Sequence, residues 1–166
     1  MKKYILFISY DGLLDPLGKS QILPYIFGLN DFGYNFILIS YEKEDRNNKQ
    51  LEDLKNRLNS KGIIWYKLRF KRGRIKRLLR IINGALTVRR ISRKYTINLV
   101  HLRALQPSVI YCFSLINKPF IYDMRAFAGQ WVDMRAIRKG SILEFIIYWY
   151  EKWLIIKASA MVVLDK

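Results

Sequence analysis

Six short apolar runs constrain this chain more than any other feature: Tyr4–Ser9, Asn35–Ser40, Ile63–Leu68, Leu99–Leu102, Phe120–Asp123 and Ala160–Leu164. Most are near-continuous in apolar residues rather than alternating. That is the pattern of strands covered on both faces, as in a parallel sheet. Segments with helical spacing separate them. The alternation predicts an α/β, Rossmann-like doubly wound domain, with a mainly parallel sheet of about six strands and helices on both faces. At 166 residues the chain fits one domain with a real core.

The first helix is expected over Ser20–Phe32, with Ser20 as its cap, Pro24 in its first turn and Gly33 ending it. Lys49–Ser60 carries Leu51, Leu54 and Leu58 on one side. Arg74–Lys94 places Ile75, Leu78, Leu79, Ile82 and Leu86 on one stripe, with Lys76, Arg77 and Arg80 opposite. Beyond Gly84 the phase breaks, which predicts a kink there. A fourth helix follows Pro107. The fifth, Ile142–Lys157, has a wide apolar face, with Glu144 and Glu151 together on the narrow polar one.

Charge is distributed very unevenly. The net +17 arises in residues 54–122, which hold 17 basic residues and no acidic one. Residues 1–53 hold 6 basic and 8 acidic residues, and residues 123–166 hold 7 and 5. The basic stretch from Lys67 to Lys94 mixes Arg and Lys with Leu and Ile and has few aromatics. Such a mixture suits an interfacial membrane face better than a nucleic-acid stacking platform, so nucleic acid is disfavoured. Docking of an acidic partner and a simply solvated face remain open alternatives. The membrane-facing candidates are Arg74, Lys76, Arg77 and Arg80.

One cysteine, Cys112, excludes an intrachain disulfide, and one histidine, His101, gives no metal-ligand cluster. No metal is expected. There is neither a secretory signal pattern nor an apolar run long enough to cross a bilayer, so a cytoplasmic chain is expected.

Three loops carry the candidate chemistry. "DGLLDPLGKSQ" evokes a triphosphate-cradling loop, but five residues rather than four separate Gly12 from Gly18, and Pro16 offers no N–H. Either it is a plain turn, or Gly18, Lys19, Ser20 and Gln21 face a phosphate or sugar ligand at a helix start. "HLRALQP" puts Arg103 at the mouth of the fourth strand, as an anion-binding or acceptor-site residue or as a surface Arg near a helix start. "YDMRAFAGQWVDMR" ends the fifth strand with Asp123, followed by Arg125 and Trp131. This set suits a sugar site, with Asp123 accepting hydroxyl hydrogen bonds or acting as general base, and equally suits a loop-holding Asp–Arg ion pair.

With these residues in hand, the chain resembles the amino-terminal half of family 4 glycosyltransferases, which have the two-domain GT-B fold. The likeness rests on "SYDGLLDPLGKSQILPYIFGL", "HLRALQP", "IYDMRAFAGQWVDMR" and "YEKWLIIKASAMVVLDK". It implies that residues 1–166 form one acceptor-side Rossmann-like domain of a retaining enzyme that builds a polysaccharide or lipid-linked glycan. Asp123 and Arg125 would flank the reacting hydroxyl, and Gly18–Gln21 would face the donor phosphates. The resemblance further implies no permanently bound cofactor. A UDP- or GDP-linked sugar would be the co-substrate, held by a carboxyl-terminal donor-binding domain or separate polypeptide, absent here. It also implies a peripheral position on the inner face of the cell membrane, where lipid-linked acceptors sit. Alone, the chain is expected to be inactive. Ala126 stands where one branch of the family has Gly. Two alternatives remain: a non-enzymatic membrane- or partner-binding α/β module, and a flavodoxin-like nucleotide-binding protein.

Overall fold

The computed structural model describes residues 2–43, 47–126 and 137–163. Six strands form one sheet: β1 (Lys3–Ser9), β2 (Phe36–Lys43), β3 (Ile64–Phe70), β4 (Thr96–Arg103), β5 (Phe120–Met124) and β6 (Ala160–Val163). Every pairing is parallel, and the order is β3-β2-β1-β4-β5-β6. The chain starts at the centre, winds outward to β3, then returns to lay β4 on the other side of β1. The crevice at the carboxyl ends of β1 and β4 is therefore the topological switch point, where open α/β sheets bind ligands.

Residues alternate between the two faces of the sheet, and each face has its own core. Phe7, Phe36 and Leu38 join helices α1 (Leu23–Asp31) and α2 (Asn48–Ser60) through Ile26, Phe27, Leu54 and Leu58. Leu6, Ile8, Ile37 and Ile39 face α3 (Arg74–Lys94), α4 (Leu105–Ser114) and α5 (Ile142–Lys157) through Val88, Ile91, Ile110 and Leu154. The doubly wound architecture read from the sequence is the one observed.

Several local expectations are corrected. The first helix begins at Pro16, four residues before Ser20, and Ser20 caps nothing; its hydroxyl donates to the Pro16 carbonyl. Pro24 then lies inside a continuous helix. A π-helical turn over Gly18–Ile22 accommodates it, with Leu23 N–H bonded to the Gly18 carbonyl. The wider turn fits a residue that has no N–H and whose ring clashes with the preceding turn.

Helix α3 runs unbroken through Gly84, where a side chain would collide with the Tyr41 hydroxyl and Ile110. Its buried side is Gly84, Ala85, Val88 and Ile91, whereas Ile75, Leu78, Leu79, Ile82 and Leu86 all face outward. Arg80 turns inward. Its guanidinium lies 4.6 Å from the Phe70 ring centroid and 5.4 Å from that of Tyr10, and its Nε donates to the Tyr10 hydroxyl at 2.6 Å. Arg80 is thus not on the exposed face with Lys76 and Arg77. Helix α4 starts at Leu105, before Pro107 rather than after it. On α5, Glu151 is buried, while Ile142, Phe145, Ile146 and Trp149 are exposed.

A buried polar chain fixes the loop after β1. The Trp65 indole donates to Ser40 Oγ at 2.8 Å, Ser40 donates to Glu42 Oε1 at 2.8 Å, and the same oxygen accepts Leu13 N–H at 2.6 Å. Lys43 pairs with Asp15 at 3.1 Å. Gly18 closes against this loop: a Cβ there would meet the carbonyl oxygens of Gly12 and Leu13. Backbone cannot yield as a flexible side chain would. Gly18→Ala is therefore expected to cost about 2–3 kcal/mol, read as a lowered midpoint in urea unfolding. An unchanged midpoint would show that the glycine is not needed for this packing.

Candidate functional site

The carboxyl ends of β1, β4 and β5 converge on one charged cluster. The register requires it, because Ser9 lies beside Arg103, and Arg103 beside Asp123. Asp123 Oδ2 takes Arg125 Nη2 at 2.7 Å, His101 Nε2 at 3.4 Å and Arg103 Nη1 at 3.5 Å. Arg103 Nη2 donates to Gln21 Oε1 at 2.6 Å, and Arg125 Nη1 approaches the same oxygen at 3.4 Å. Asp11 Oδ2 lies 3.8 Å from Arg103 Nε. His101 Nδ1 stands 3.5 Å from the Tyr25 hydroxyl, and its ring lies against Phe7 with centroids 4.6 Å apart. Ala104 follows Arg103 with φ at +74° and ψ at 179°, a conformation that favours glycine. Its N–H donates to the Asp123 carbonyl at 2.8 Å, tying the ends of β4 and β5 together.

These groups line a cavity of about 90 Å³, together with Ile22 and Val162. Its lining of carboxylate, imidazole, guanidinium and amide groups can receive a hydroxyl group of a ligand. Asp123 Oδ1 has no hydrogen-bond partner among the described residues, although His101 and both arginines crowd its other oxygen. A hydroxyl donor would satisfy it.

Burial alone would push the Asp123 carboxyl up. Hydrogen bonds from His101 and Arg125, with the nearby positive charge, outweigh burial and hold it below the ordinary carboxylate value. Burial and the neighbouring Arg125 lower Arg103, and burial with the Asp123 charge raises Tyr25. A carboxylate so firmly ionised is a strong hydrogen-bond acceptor and a weak proton abstractor at neutral pH. Orienting a hydroxyl suits it better than acting as general base.

Of the residues proposed from sequence, Gln21, Arg103, Asp123 and Arg125 come together here. Gly18 is packed against its own loop, Lys19 lines a hollow with Phe27, Asp53 and Arg57, and Ser20 bonds within its own turn. Trp131 and the side chain of Arg74 lie outside the described residues. Sequence reasoning missed His101 as a site residue, and Tyr25 and Asp11 with it. Among the described residues no group of His, Cys, Asp and Glu is placed to hold a metal ion.

No family model matches the chain, and no curated protein sequence does. Among solved structures it is similar to a glycosyltransferase from Rickettsia africae ESF-5, with a TM-score of 0.51 and 17% identity. The match covers 79% of this chain and 34% of that one, and it is a likeness of fold. The chain therefore carries a Rossmann-like α/β fold that a glycosyltransferase also uses.

The ion cluster makes a prediction about acid stability. A depressed folded pKa gives stability that is present above the unfolded value, about 3.9, and lost as pH falls through the folded value. Asp123→Asn should thus lie furthest below wild type in stability above about pH 4, with the gap narrowing at lower pH. Urea midpoints across pH 2 to 6 measure this, and a pH-independent gap would show that Asp123 carries no such shift.

Proposed function

We propose that this chain is the acceptor-side domain of a retaining GT-B glycosyltransferase, transferring sugar from a UDP- or GDP-linked donor to a polysaccharide or lipid-linked glycan. The observation that carries the reading is Asp123 Oδ1, without a hydrogen-bond partner among the described residues, buried at the switch-point crevice and backed by Arg103, Arg125 and Gln21. In this reading Asp123 orients the acceptor hydroxyl. Arg125 and Arg103 hold the carboxylate and face developing negative charge on the donor phosphates. Gln21 sets the spacing of the two guanidinium groups. The donor nucleotide belongs to a second domain or separate polypeptide, because transfer needs both substrates held together. The sequence resemblance and the shared glycosyltransferase fold both support this assignment.

A second reading, a membrane- or partner-binding module without catalysis, is favoured by one observation: the outward apolar stripe of α3, flanked by Lys76 and Arg77. The two readings are compatible if the enzyme works at an anionic membrane surface on its cytoplasmic side. No helix among the described residues is long and apolar enough to cross a membrane.

The test is label transfer from a panel of UDP- and GDP-sugars into lipid and polysaccharide fractions, using membranes that contain this chain with its donor-binding half. Wild type should incorporate label, and Arg125→Ala or Asp123→Asn should lower incorporation by about 100-fold or more. Equal incorporation by Asp123→Asn, with the protein still folded, would remove this residue from the reaction.

A further inference from the structure

His101 sits on β4, an internal strand, with Phe7 of β1 and Ile121 of β5 as its register neighbours, and is 2% exposed. Its ring packs on that of Phe7, with 33° between the planes. Strand backbone and ring packing leave the imidazole little freedom. Arg125 is different: it follows the end of β5, and its side chain is 25% exposed. Among the described donors to Asp123 Oδ2, the closest is thus the more mobile, and His101 is a fixed one.

Contacts at both ring nitrogens determine where the imidazole hydrogen lies. An ionised carboxylate only accepts, so Nε2, at 3.4 Å from Oδ2, carries the hydrogen. A second hydrogen on Nδ1 would place a third cation around a carboxylate that already has two guanidinium groups. Nδ1 is therefore an acceptor, and the group that faces it is the Tyr25 hydroxyl at 3.5 Å. That hydroxyl keeps its proton, because burial and the Asp123 charge both raise Tyr25. The hydrogen bonds run one way, from Tyr25 O–H to Nδ1 and from Nε2–H to Oδ2.

The helix that bears Tyr25 is shaped to deliver it. Gln21 lies in the π-helical turn Gly18–Ile22, Tyr25 follows four residues later, and both line the crevice. The extra residue of a π-turn rotates the helix face that follows, and such turns recur at functional sites.

We propose that His101 is a positioning residue: with one hydrogen, on Nε2, and with Nδ1 taken by Tyr25, it holds Asp123 Oδ2 and so presents Oδ1 to the hydroxyl that receives the sugar. Without it, the carboxylate turns about its last torsion, which is soft, and exchanges its two oxygens. The catalytic consequence rests on the proposed sugar transfer; the placement of the hydrogen does not.

His101 is the single histidine of the chain, so its ring nitrogens are assigned without ambiguity in nitrogen-15 NMR of the chain carrying no histidine tag. At pH 7 the spectrum should show Nε2 protonated and Nδ1 bare, and Tyr25→Phe should move the Nδ1 resonance toward that of a free ring nitrogen. Hydrogen on Nδ1, hydrogens on both nitrogens, or no response to Tyr25→Phe would each overturn the proposal. The transfer assay then separates positioning from bulk. A glutamine amide reaches about where Nε2 stands, and an asparagine amide only where Nδ1 stands. His101→Gln should keep the rate at saturating donor within about fivefold of wild type, whereas His101→Asn should lose about 30-fold, the worth of one hydrogen bond to a charged group. The KM for donor should be unchanged in both. Equal rates for the two variants would overturn the positioning role. Failure of the wild type to transfer any sugar would remove the transferase reading, and with it the catalytic role, while the spectrum still decides the hydrogen placement.

Discussion

One buried carboxylate organises the rim of this molecule. Asp123 is 2% exposed, and Arg103, at 4%, lies beside it in the strand register. An arginine so buried is costly without a counter-charge, and removing one partner of such a pair costs about 3–5 kcal/mol. The sheet register thus brings two opposite charges together, and their mutual need keeps the ends of β4 and β5 in place. His101 and Arg125 add to the same oxygen, Oδ2, so the second oxygen is held in position with no partner among the described residues. A site built from strand ends in this way is rigid before any ligand arrives. Preorganised polar groups of this kind are the main source of electrostatic discrimination in an active site.

The sheet was legible because its signal is strong and local: strands covered on both faces must be apolar throughout. Asp123 and Arg103 were legible for a related reason. Polar residues directly after such runs fall at the carboxyl rim, whatever the order of strands. His101 was not, because it looks like one polar interruption inside a strand. Its meaning comes from Tyr25 and Asp123, which are distant in sequence. Glu42 and Ser40 escaped notice likewise, since their partners Leu13 and Trp65 arrive from the loop after β1 and from β3.

The phase of α3 failed for a different physical reason. Periodicity weights Leu and Ile heavily and Gly and Ala hardly at all. The surface that α3 presents to the sheet must be thin, because Tyr41 and Ile110 already fill that space beneath Gly84. Around Gly84 and Ala85 small residues therefore face inward while Ile75, Leu78, Leu79, Ile82 and Leu86 face outward, and Val88 and Ile91 restore an ordinary apolar inner face further along. Arg80 is drawn in because Tyr10 and Phe70 offer it two aromatic faces, and Tyr41 bonds its carbonyl at 2.8 Å. The uncovered apolar stripe is thus a consequence of how tightly the helix seats.

Tyr10 and Asp11 join these two regions. Tyr10 accepts from Arg80 on α3, and the next residue, Asp11, pairs with Arg103 at the rim. The Glu42 and Ser40 chain anchors the loop just beyond, at Leu13, and Asp15 is tied to Lys43. The Tyr10–Asp11 pair thus lies between the inward-turned Arg80 of α3 and Arg103, whose guanidinium bonds Gln21 and Asp123. Two adjacent residues of one loop therefore contact both the inward side of α3 and the charged cluster at the rim.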